Sequence, residues 1–407
     1  MKAVVAHHLW SRVGGGELVN AYVVKTLLEA GYKVAIVSTF GFDVGKYREW
    51  FGVNLENIKV YKILPKMLPI LGIYQRLTIP IPLYKAVKRE KPDILFIDNE
   101  LYKPIVKLKK RVRFKLLEYI HFPFNTLFFE KDANDMPREY RETFKNYIED
   151  AKNYFKKYER GLWKYYFKLW LKLYKMVARD NPFETADVVM VNSKYIGKLV
   201  KMLWGGDPLV LHPPVKIGDF AQYCRRGFEE RENAVIMIGR ISPEKRIETA
   251  IDAIALTETK PVLRVVGGLI PSNIPYMEKL KRRARERKVR VEFYLNASRS
   301  KLVELATKSR VFIHTTIGEH FGIAVVEGMA AGCPVIVHRS GGPWEDIVEF
   351  GRYGLSFETV EELAEAIDKL LSDQRLWKYY HSCALERAPF FSDHVFSKKL
   401  LKVIEGA

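Results

Sequence analysis

The chain contains 407 residues, 48% of them hydrophobic and 13% aromatic, which is more than one typical core needs and predicts two domains. It has no uncharged apolar run of the ~18 residues that a membrane span requires, and we expect no secretory signal before its first strand. Its three cysteines lie outside any metal-ligand spacing, which indicates reduced thiols of a cytosolic protein. The formal net charge of +19 favours anionic partners, although solubility or a charge-rich adaptation to heat would also produce it.

The first half of the chain alternates apolar strands with helical stretches. The first strand is predicted over Lys2–His8, and the glycine loop Ser11–Glu17 (SRVGGGE) leads into a helix over Leu18–Ala30. Because glycine permits close backbone approach and a helix N-terminus attracts anions, Gly15 and Gly16 are candidates for ligand contact. The spacing does not meet the dinucleotide fingerprint, so a tight turn is the alternative. Later strands complete a βαβ pattern; they are predicted over Val34–Ser38, Asp93–Ile97, Lys115–Ile120 and Ala186–Asn192.

A histidine stands at the end of one of these strands. His121 directly follows the strand Lys115–Ile120, at the carboxyl edge where open α/β sheets bind their ligands. A lone histidine is often structural, so a ligand contact and a structural role both remain open for His121.

Residues 125–180 are predicted to form a helical insertion rich in basic and aromatic side chains. A helix over Trp163–Arg179 (WKYYFKLWLKLYKMVAR) has far more apolar surface than the stripe of little over ~100° that an ordinary surface helix buries. We expect it to lie in a membrane interface with its basic stripe on the headgroups, and burial between protein elements is the alternative. The basic stripe consists of Lys164, Lys168, Lys172, Lys175 and Arg179.

A stiff turn at His212–Pro214 divides the sequence. We therefore predict a first domain at residues 1–212 and a second domain at residues 213–388. The remaining residues, 389–407, are predicted to form a C-terminal helix that packs back on the first domain.

The second half repeats the βαβ pattern, with charged residues at the strand ends. A strand over 234–238 runs into Gly239 and Arg240, and Ser242 is predicted to cap a helix whose first turn contains Lys245. Cations near a helix N-terminus oppose its dipole. Arg240 and Lys245 therefore predict a diphosphate between them, with solvated charge as the alternative.

The segment Gly318–Pro334 (GEHFGIAVVEGMAAGCP) links a strand to a short apolar helix. Glu319 lies in the loop before this helix, and Glu327, eight positions later, is the only charged residue before Arg339 if histidine is counted as neutral. A carboxylate in so apolar a helix is unfavourable to bury without a partner, and a ligand could be that partner.

A set of motifs resembles family 4 of the retaining glycosyltransferases. They are Gly14–Glu17 (GGGE), Ala186–Ser193 (ADVVMVNS), Gly239–Lys245 (GRISPEK) and the pair Glu319 and Glu327, spaced E-x7-E. The resemblance implies an α/β protein with the GT-B fold, two Rossmann-like domains facing across a cleft. Other segments are similar to those members of the family that extend a lipid-linked oligosaccharide with α-linked mannose from GDP-mannose on the cytosolic membrane face. These segments are 319–332 (EHFGIAVVEGMAAG), Ser340–Val348 (SGGPWEDIV) and Tyr119–Phe124 (YIHFPF).

The family resemblance implies a role for each of these residues. Arg240 and Lys245 would hold the donor diphosphate, and Glu319 would accept hydrogen bonds from the donor sugar. Glu327 would bind the nucleoside ribose, while His121 and the glycine loop would approach the reacting sugar. The implied catalytic residues are His121, Arg240, Lys245 and Glu319, and the implied donor-binding residues are Gly15, Gly16, Gly239, Arg240, Lys245, Asn296, Glu319, Phe321, Gly322, Ile323 and Glu327.

The same resemblance implies the cofactors and partners. The donor would be a nucleotide-sugar and the acceptor a glycan or lipid-linked glycan, with the protein peripheral on an anionic, cytosolic membrane surface. No cofactor and no metal are expected, because the chain lacks the Asp-x-Asp motif of the other main glycosyltransferase fold. No nucleic acid is expected, since no recognition motif accompanies the charge. A soluble GT-B enzyme that uses a UDP-sugar and a small-molecule acceptor is the alternative, whereas an epimerase of the same fold is disfavoured because its motifs are absent.

Overall fold

The strands of both halves lie close to the apolar runs that predict them. The structure, a computed structural model, describes residues 1–11, 14–66, 69–123, 140–141 and 161–406. The chain divides into two units, Met1–Pro214 with Phe396–Ala407, and Val215–Val395. Each unit is a parallel β-sheet flanked by helices, which confirms the prediction of an α/β protein with two Rossmann-like domains. Most of the predicted insertion, namely its residues 125–139 and 142–160, lies outside the described residues.

The first unit is built on a parallel sheet. Its described strands are β1 (Lys2–Ala6), β2 (Lys33–Val37), β3 (Lys59–Tyr61), β4 (Ile94–Ile97), β5 (Lys115–Ile120), β6 (Val188–Val191) and β7 (Leu209–Val210). They lie in the order β3-β2-β1-β4-β5-β6-β7, so the chain order reverses between β1 and β4. Such a reversal opens a crevice at the carboxyl edge of the sheet.

Helices cover both faces of this sheet, which is why its strands are continuous apolar runs. They are α1 (Gly15–Glu29), α2 (Lys46–Phe51), α3 (Pro80–Glu90), α4 (Lys103–Val106), α5 (Leu162–Val177), α6 (Pro182–Thr185) and α7 (Lys194–Trp204), with short 3₁₀ segments at Pro69–Thr78 and Lys107–Lys110. Helix α1 begins three residues earlier than predicted. Gly15 and Gly16 therefore belong to its first turn, where amides lack intrahelical acceptors, and not to the preceding loop.

The second unit repeats the architecture with a shorter sheet. Its strands are β8 (Glu232–Ile238), β9 (Val262–Gly267), β10 (Val291–Leu295), β11 (Ser309–His314), β12 (Val335–His338) and β13 (Leu355–Phe357). All pairings are parallel, in the order β10-β9-β8-β11-β12-β13. The order reverses between β8 and β11, so the carboxyl ends of these two strands form the position expected for a ligand.

The second sheet is also covered on both faces. Its helices are α8 (Ile247–Leu256), α9 (Ile274–Glu286), α10 (Arg299–Lys308), α11 (Ile323–Ala330), α12 (Val360–Ser372) and α13 (Gln374–Arg387), with short helical turns at Ile217–Phe220, Phe228–Glu230, Pro243–Lys245, Pro271–Asn273, Pro343–Ile347 and Ala388–Phe391.

The last helix, α14 (Asp393–Gly406), packs on the first unit. Phe396 and Leu400 are buried in the core that contains β1 and α1. The Lys115 ammonium donates to the carbonyl of Ile404 at 2.7 Å. Helix α14 thereby completes the face of the first sheet on which α1 lies.

Helix α5 has one buried face and one exposed face. Trp170 and Tyr174 are buried in the core beneath it, whereas Tyr165, Leu169 and Met176 are 72%, 53% and 64% exposed on its other side. Four lysines of the predicted basic stripe are exposed beside them, namely Lys164, Lys168, Lys172 and Lys175. In the described part of the chain, no helix combines the length and apolarity needed to span a membrane.

Arg179 is not part of the exposed basic stripe, which corrects the prediction. Helix α5 ends at Val177 and the next residue is extended, so the helical wheel does not continue to Arg179. Its side chain is 2% exposed, and its Nε donates to Glu118 Oε1 at 2.6 Å. Arg179 is therefore a buried partner of strand β5.

A second acidic residue ties α5 to the sheet. Glu100, which closely follows β4, accepts a hydrogen bond from the Tyr174 hydroxyl at 2.7 Å and from Arg76 at 2.8 Å. The carbonyl of Glu100 accepts from the amide of Arg179 at 2.9 Å. Helix α5 is thus anchored to the strands β4 and β5.

Candidate active site

A short turn joins β8 to α8 in the second unit. Pro243–Lys245 form one turn of 3₁₀ helix, and Arg246, with φ +49°, separates this turn from α8. Ser242 consequently does not cap a continuous helix, which corrects the prediction. Its hydroxyl donates instead to Glu244 Oε1 at 2.5 Å.

Two predicted site residues, Lys245 and Glu319, form an ion pair. Lys245 Nζ lies 2.6 Å from Glu319 Oε2, and His314 Nε2 lies 3.3 Å from the same oxygen. Burial disfavours the charged carboxylate, but the Lys245 ammonium outweighs it and holds the pKa of Glu319 well below its usual value. Burial lowers the pKa of His314, so its ring is neutral at pH 7. An ammonium and a carboxylate therefore stand together at the carboxyl edge of β8 and β11.

A crevice brings both predicted cations together. It is lined, among others, by Gly239, Arg240, Lys245, His314 and Thr316. The Arg240 guanidinium lies 3.2 Å from Glu244 Oε1, and its side chain is 69% exposed. Arg240 and Lys245 thus face one crevice but have different partners, and an anion bound there would meet two positive groups.

Close backbone packing joins two predicted donor-site residues. A Cβ on Gly267 would collide with the carbonyl oxygen of Gly239, so only glycine fits at position 267. Asn296 follows β10 with φ +51°, and its amide donates to the carbonyl of Gly267 at 2.9 Å. Gly267 therefore contacts both Gly239 and Asn296, which lie at the same edge of the sheet. The sequence analysis did not predict Gly267 as a site residue.

The segment before α11 supplies backbone donors. Gly322 precedes the helix with φ +100°, and a Cβ there would lie 2.9 Å from Pro343. Ile323 begins α11, so its amide belongs to the first turn, which lacks intrahelical acceptors. The side chain of Phe321 is buried, with its ring centroid 5.5 Å from that of Phe391. Any ligand contact from Phe321 would therefore come from its backbone.

The loop that carries Glu319 is held by the following glycine-rich segment. The amide of Gly318 donates to Ser340 Oγ at 2.8 Å. The amide of Gly342 donates to the carbonyl of Glu319 at 2.8 Å. Ser340 and Gly342 thereby fix the backbone of Glu319 beside Lys245.

Glu327 has a partner within the protein, Arg299. The Arg299 guanidinium hydrogen-bonds to Glu327 Oε1 and lies 2.9 Å from Asp219 Oδ2. The sequence analysis missed Arg299, although it starts helix α10. A cation in a first helical turn opposes the dipole, and this argument, which identified Lys245, would have found Arg299 as well.

The first unit gathers a second polar cluster where β1, β4 and β5 end. Asp98 Oδ2 lies 2.7 Å from His7 Nδ1 and 3.2 Å from the predicted His121 Nε2. A Cβ on Gly16 would lie 3.6 Å from both His121 Nε2 and His7 Cε1. The structure thus brings the predicted Gly16 and His121 together, while His7 and Asp98 were missed. Both lie directly after a strand, β1 or β4, which is the signal that selected His121. The first strand was predicted two residues too long, to His8 and not Ala6, so this signal was hidden at His7.

No group of three or more His, Cys, Asp or Glu side chains within the described ranges is placed to hold a metal ion. Independence from a metal stays a prediction, which the EDTA experiment described in the Discussion tests.

Two Rossmann-like units, with a lysine–glutamate pair at the carboxyl edge of the second, define a glycosyltransferase of the GT-B class. Residues 13–217 match the family model described as Glycosyltransferase Family 4, and residues 224–386 match the model described as Glycosyl transferases group 1. The chain therefore belongs to glycosyltransferase family 4, as its motifs predict.

Individual relatives cover part of the chain. The GDP-Man:Man(3)GlcNAc(2)-PP-Dol alpha-1,2-mannosyltransferase of Dictyostelium discoideum is 30% identical over 253 residues, which are 58% of this chain and 49% of that protein. The D-inositol 3-phosphate glycosyltransferase of a Nocardioides species is 26% identical over 259 residues, 57% of this chain and 56% of that protein. The chain thus spans about half the length of these curated relatives. The crystal structure of Anabaena HepE in complex with UDP and glucose aligns over 100% of both chains with a TM-score of 0.69 at 18% identity, a similarity that shows the fold.

Proposed function

We propose that the protein is a retaining glycosyltransferase that transfers mannose from GDP-mannose, in α linkage, to a lipid-linked glycan at the cytosolic face of a membrane. The observation that carries this proposal is the Lys245–Glu319 pair beside Arg240. Arg240 and Lys245 offer two cations to a diphosphate at one crevice, and Glu319, the partner of Lys245, offers a carboxylate to sugar hydroxyls. The name of the Dictyostelium relative supports mannose and a dolichol-linked acceptor.

Transfer in this site needs no side-chain nucleophile. The acceptor hydroxyl would attack the anomeric carbon from the face that the nucleotide leaves. The bond from that carbon to the phosphate oxygen breaks, and the hydroxyl proton passes to a donor phosphate oxygen. Lys245, Arg240 and the first-turn amides of α11 would stabilise the leaving diphosphate, which is the main electrostatic contribution to the rate. Glu319 would orient the sugar and Glu327 the ribose.

The proposal is tested first by calorimetric binding of GDP, UDP and ADP, followed by transfer assays with the matching sugar nucleotides. We expect GDP to bind tightest and Lys245→Met to weaken that binding. Lys281 is a matched control, because it is paired only with Glu278 on the exposed surface of α9, and Lys281→Met should bind GDP as the wild type does. Wild-type protein that binds no nucleoside diphosphate, or transfers no sugar, would end the proposal.

A second candidate is a soluble enzyme that uses a UDP-sugar and a small-molecule acceptor. It is supported by the HepE complex with UDP and glucose and by the name of the Nocardioides relative. Tight binding of UDP with indifference to GDP would favour this candidate over mannosyl transfer.

The proposed membrane contact is the exposed face of α5. Tyr165, Leu169 and Met176 form an apolar strip whose neighbours are exposed lysines, the arrangement of a helix that lies in a lipid interface. Four lysines next to such a strip would be attracted to anionic headgroups by ~1 kcal/mol each. Trp170, by contrast, belongs to the core beneath the helix, so its substitution would test folding and not lipid binding.

Membrane contact is tested by co-sedimentation with phosphatidylcholine vesicles that contain or lack phosphatidylserine. We expect binding only to the anionic vesicles and its loss in the variant Tyr165→Ser, Leu169→Ser, Met176→Ser. A control variant, Leu256→Ser, removes an exposed apolar side chain of the second unit and should bind like the wild type. Equal binding of the triple variant and the control would contradict the proposed contact.

A further inference from the structure

Asp98 is the centre of the polar cluster in the first unit. Its carboxylate accepts hydrogen bonds from His7 Nδ1 at 2.7 Å, from Asn20 Nδ2 at 2.6 Å and from His121 Nε2 at 3.2 Å. The side chain of Asp98 is 1% exposed and that of His121 is 28% exposed. Asp98 thus holds His121 from inside the protein, and His121 is the more exposed of the two side chains.

Two buried atoms of this cluster, His7 Nε2 and Asn20 Oδ1, have no hydrogen-bond partner among the residues that the structure describes. A network with a purely structural purpose normally satisfies its members. His7 Nε2 forms an ion pair with Glu17 Oε1 at 3.8 Å, a separation beyond hydrogen-bond distance. The cluster therefore retains hydrogen-bonding capacity beyond the contacts that Asp98 makes.

The charges of the cluster define which group fits. Burial opposes the charged form of His7, but Asp98 and then Glu17 outweigh it and raise the pKa of His7 to about 10. The pKa of Asp98 is lowered despite its burial, because His7 and His121 stabilise the carboxylate. Two carboxylates therefore face one imidazolium, an environment that repels a phosphate and suits a hydroxyl, which both donates and accepts.

We propose that Asp98 is a positioning residue that fixes His121 with its Nδ1 free to accept a hydrogen bond from a sugar hydroxyl. The inference rests on the proposed sugar transfer and assigns the first-unit cluster to the sugar and not to the diphosphate. Because the Asp98 carboxylate can only accept at Nε2, an imidazole with a single proton carries it at Nε2, and Nδ1 is left as an acceptor. His121 Nδ1 makes no hydrogen bond to any residue in the described ranges, and the ring is further steadied by Tyr119 at 4.9 Å between centroids.

The test compares Asp98→Asn with Asp93→Asn. Both aspartates flank β4, but Asp93 stands at its amino end, where it accepts from the backbone amide of Lys2 at 2.7 Å. We expect Asp98→Asn to lower kcat about 10- to 100-fold, the equivalent of one lost charge-assisted hydrogen bond, with GDP affinity unchanged. Asp93→Asn should keep the wild-type kcat. Equal kcat values for Asp98→Asn and the wild type would overturn the assignment.

A second measurement does not depend on activity or on the folding of a variant. Nitrogen NMR of wild-type protein labelled at its histidines reports the protonation of each ring nitrogen at pH 7. We expect His121 to carry its proton at Nε2 alone and His7 to be protonated at both nitrogens. A proton on His121 Nδ1 would refute the proposal even if transfer is observed, whereas the expected tautomers without any transfer would refute the proposed function and leave the cluster intact.

Discussion

Replacing Glu319 by glutamine should strengthen the binding of GDP, although Glu319 belongs to the active site. In the free protein its carboxylate neutralises Lys245 at 2.6 Å, and a diphosphate must compete for that ammonium. Glu319→Gln removes the competing charge and also the repulsion between the carboxylate and the phosphates. Lys245→Met has the opposite effect, because it deletes the group that the diphosphate binds. We therefore predict that the two variants, which alter one ion pair, shift the Kd for GDP in opposite directions.

The size of each shift follows from the exposure of the pair. Both side chains are 20% exposed, between a surface pair worth ~0–1 kcal/mol and a buried pair whose disruption costs ~3–5 kcal/mol. An intermediate value of about 1–2 kcal/mol corresponds to a Kd that is roughly 5- to 30-fold tighter for Glu319→Gln. Lys245→Met loses a charge-assisted hydrogen bond of ~1.5–3 kcal/mol, or roughly 10- to 150-fold in affinity.

Isothermal calorimetry with GDP at one fixed ionic strength measures both variants, since salt screens such pairs. Transfer should fall in both, because a neutral amide accepts hydrogen bonds from a sugar more weakly than a carboxylate does. If Glu319→Gln weakens GDP binding as Lys245→Met does, the carboxylate contacts the nucleotide itself and the assignment of Glu319 to the sugar is wrong.

Four further outcomes are expected. Arg299→Met and Glu327→Gln should each weaken GDP binding. The double variant should lose less binding free energy than the sum of the two single losses, because the two residues share one ion pair. Additive losses would show that the two residues act independently. Glu118→Gln leaves a buried arginine without its counterion and should lower the free energy of unfolding in urea by ~3–5 kcal/mol, whereas Asp207→Asn, in an exposed pair, should stay within ~1 kcal/mol of wild type. The stability that His7 gains from Asp98 and Glu17 is fully present below its unfolded pKa of 6.5 and should be lost as pH rises through about 10. Asp98 has a lowered pKa, so the stability that its carboxylate contributes is lost only as pH falls into the acid range. Urea titrations of His7→Gln should therefore show a flatter alkaline limb than wild type. Transfer should persist in EDTA, and activity that disappears in EDTA and returns with Mn²⁺ or Mg²⁺ would contradict the expected independence from metal.

The sequence predicted the strands and the site residues that depend on local position. Apolar runs identify β1, β4 and β5 because both faces of a parallel sheet are covered. His121 was predicted because it directly follows a strand. Lys245 was predicted because a cation in the first turn of a helix opposes the helix dipole. Each of these arguments uses only residues that are neighbours in the chain, so it holds before any tertiary contact is known.

The missed pairings join residues that are distant in the chain. Asp98 reaches His121 across 23 positions and Arg299 reaches Glu327 across 28, and no local pattern pairs them. Arg179 was misassigned for another reason, since the helical wheel assumed that α5 continued two residues beyond its end. A change of one or two residues at an element boundary is enough to turn an exposed cation into a buried one.

The anchoring of α5 fixes the position of this helix relative to His121 within the first unit. Glu100 holds the helix two residues after Asp98, and Arg179 holds it to strand β5, which ends next to His121. A protein docked on lipid through α5 would therefore carry His121 at one fixed height above the headgroups. An acceptor would have to present its reactive hydroxyl at that height, so the length of the lipid-linked glycan, and not only its terminal sugar, would decide which acceptor is used.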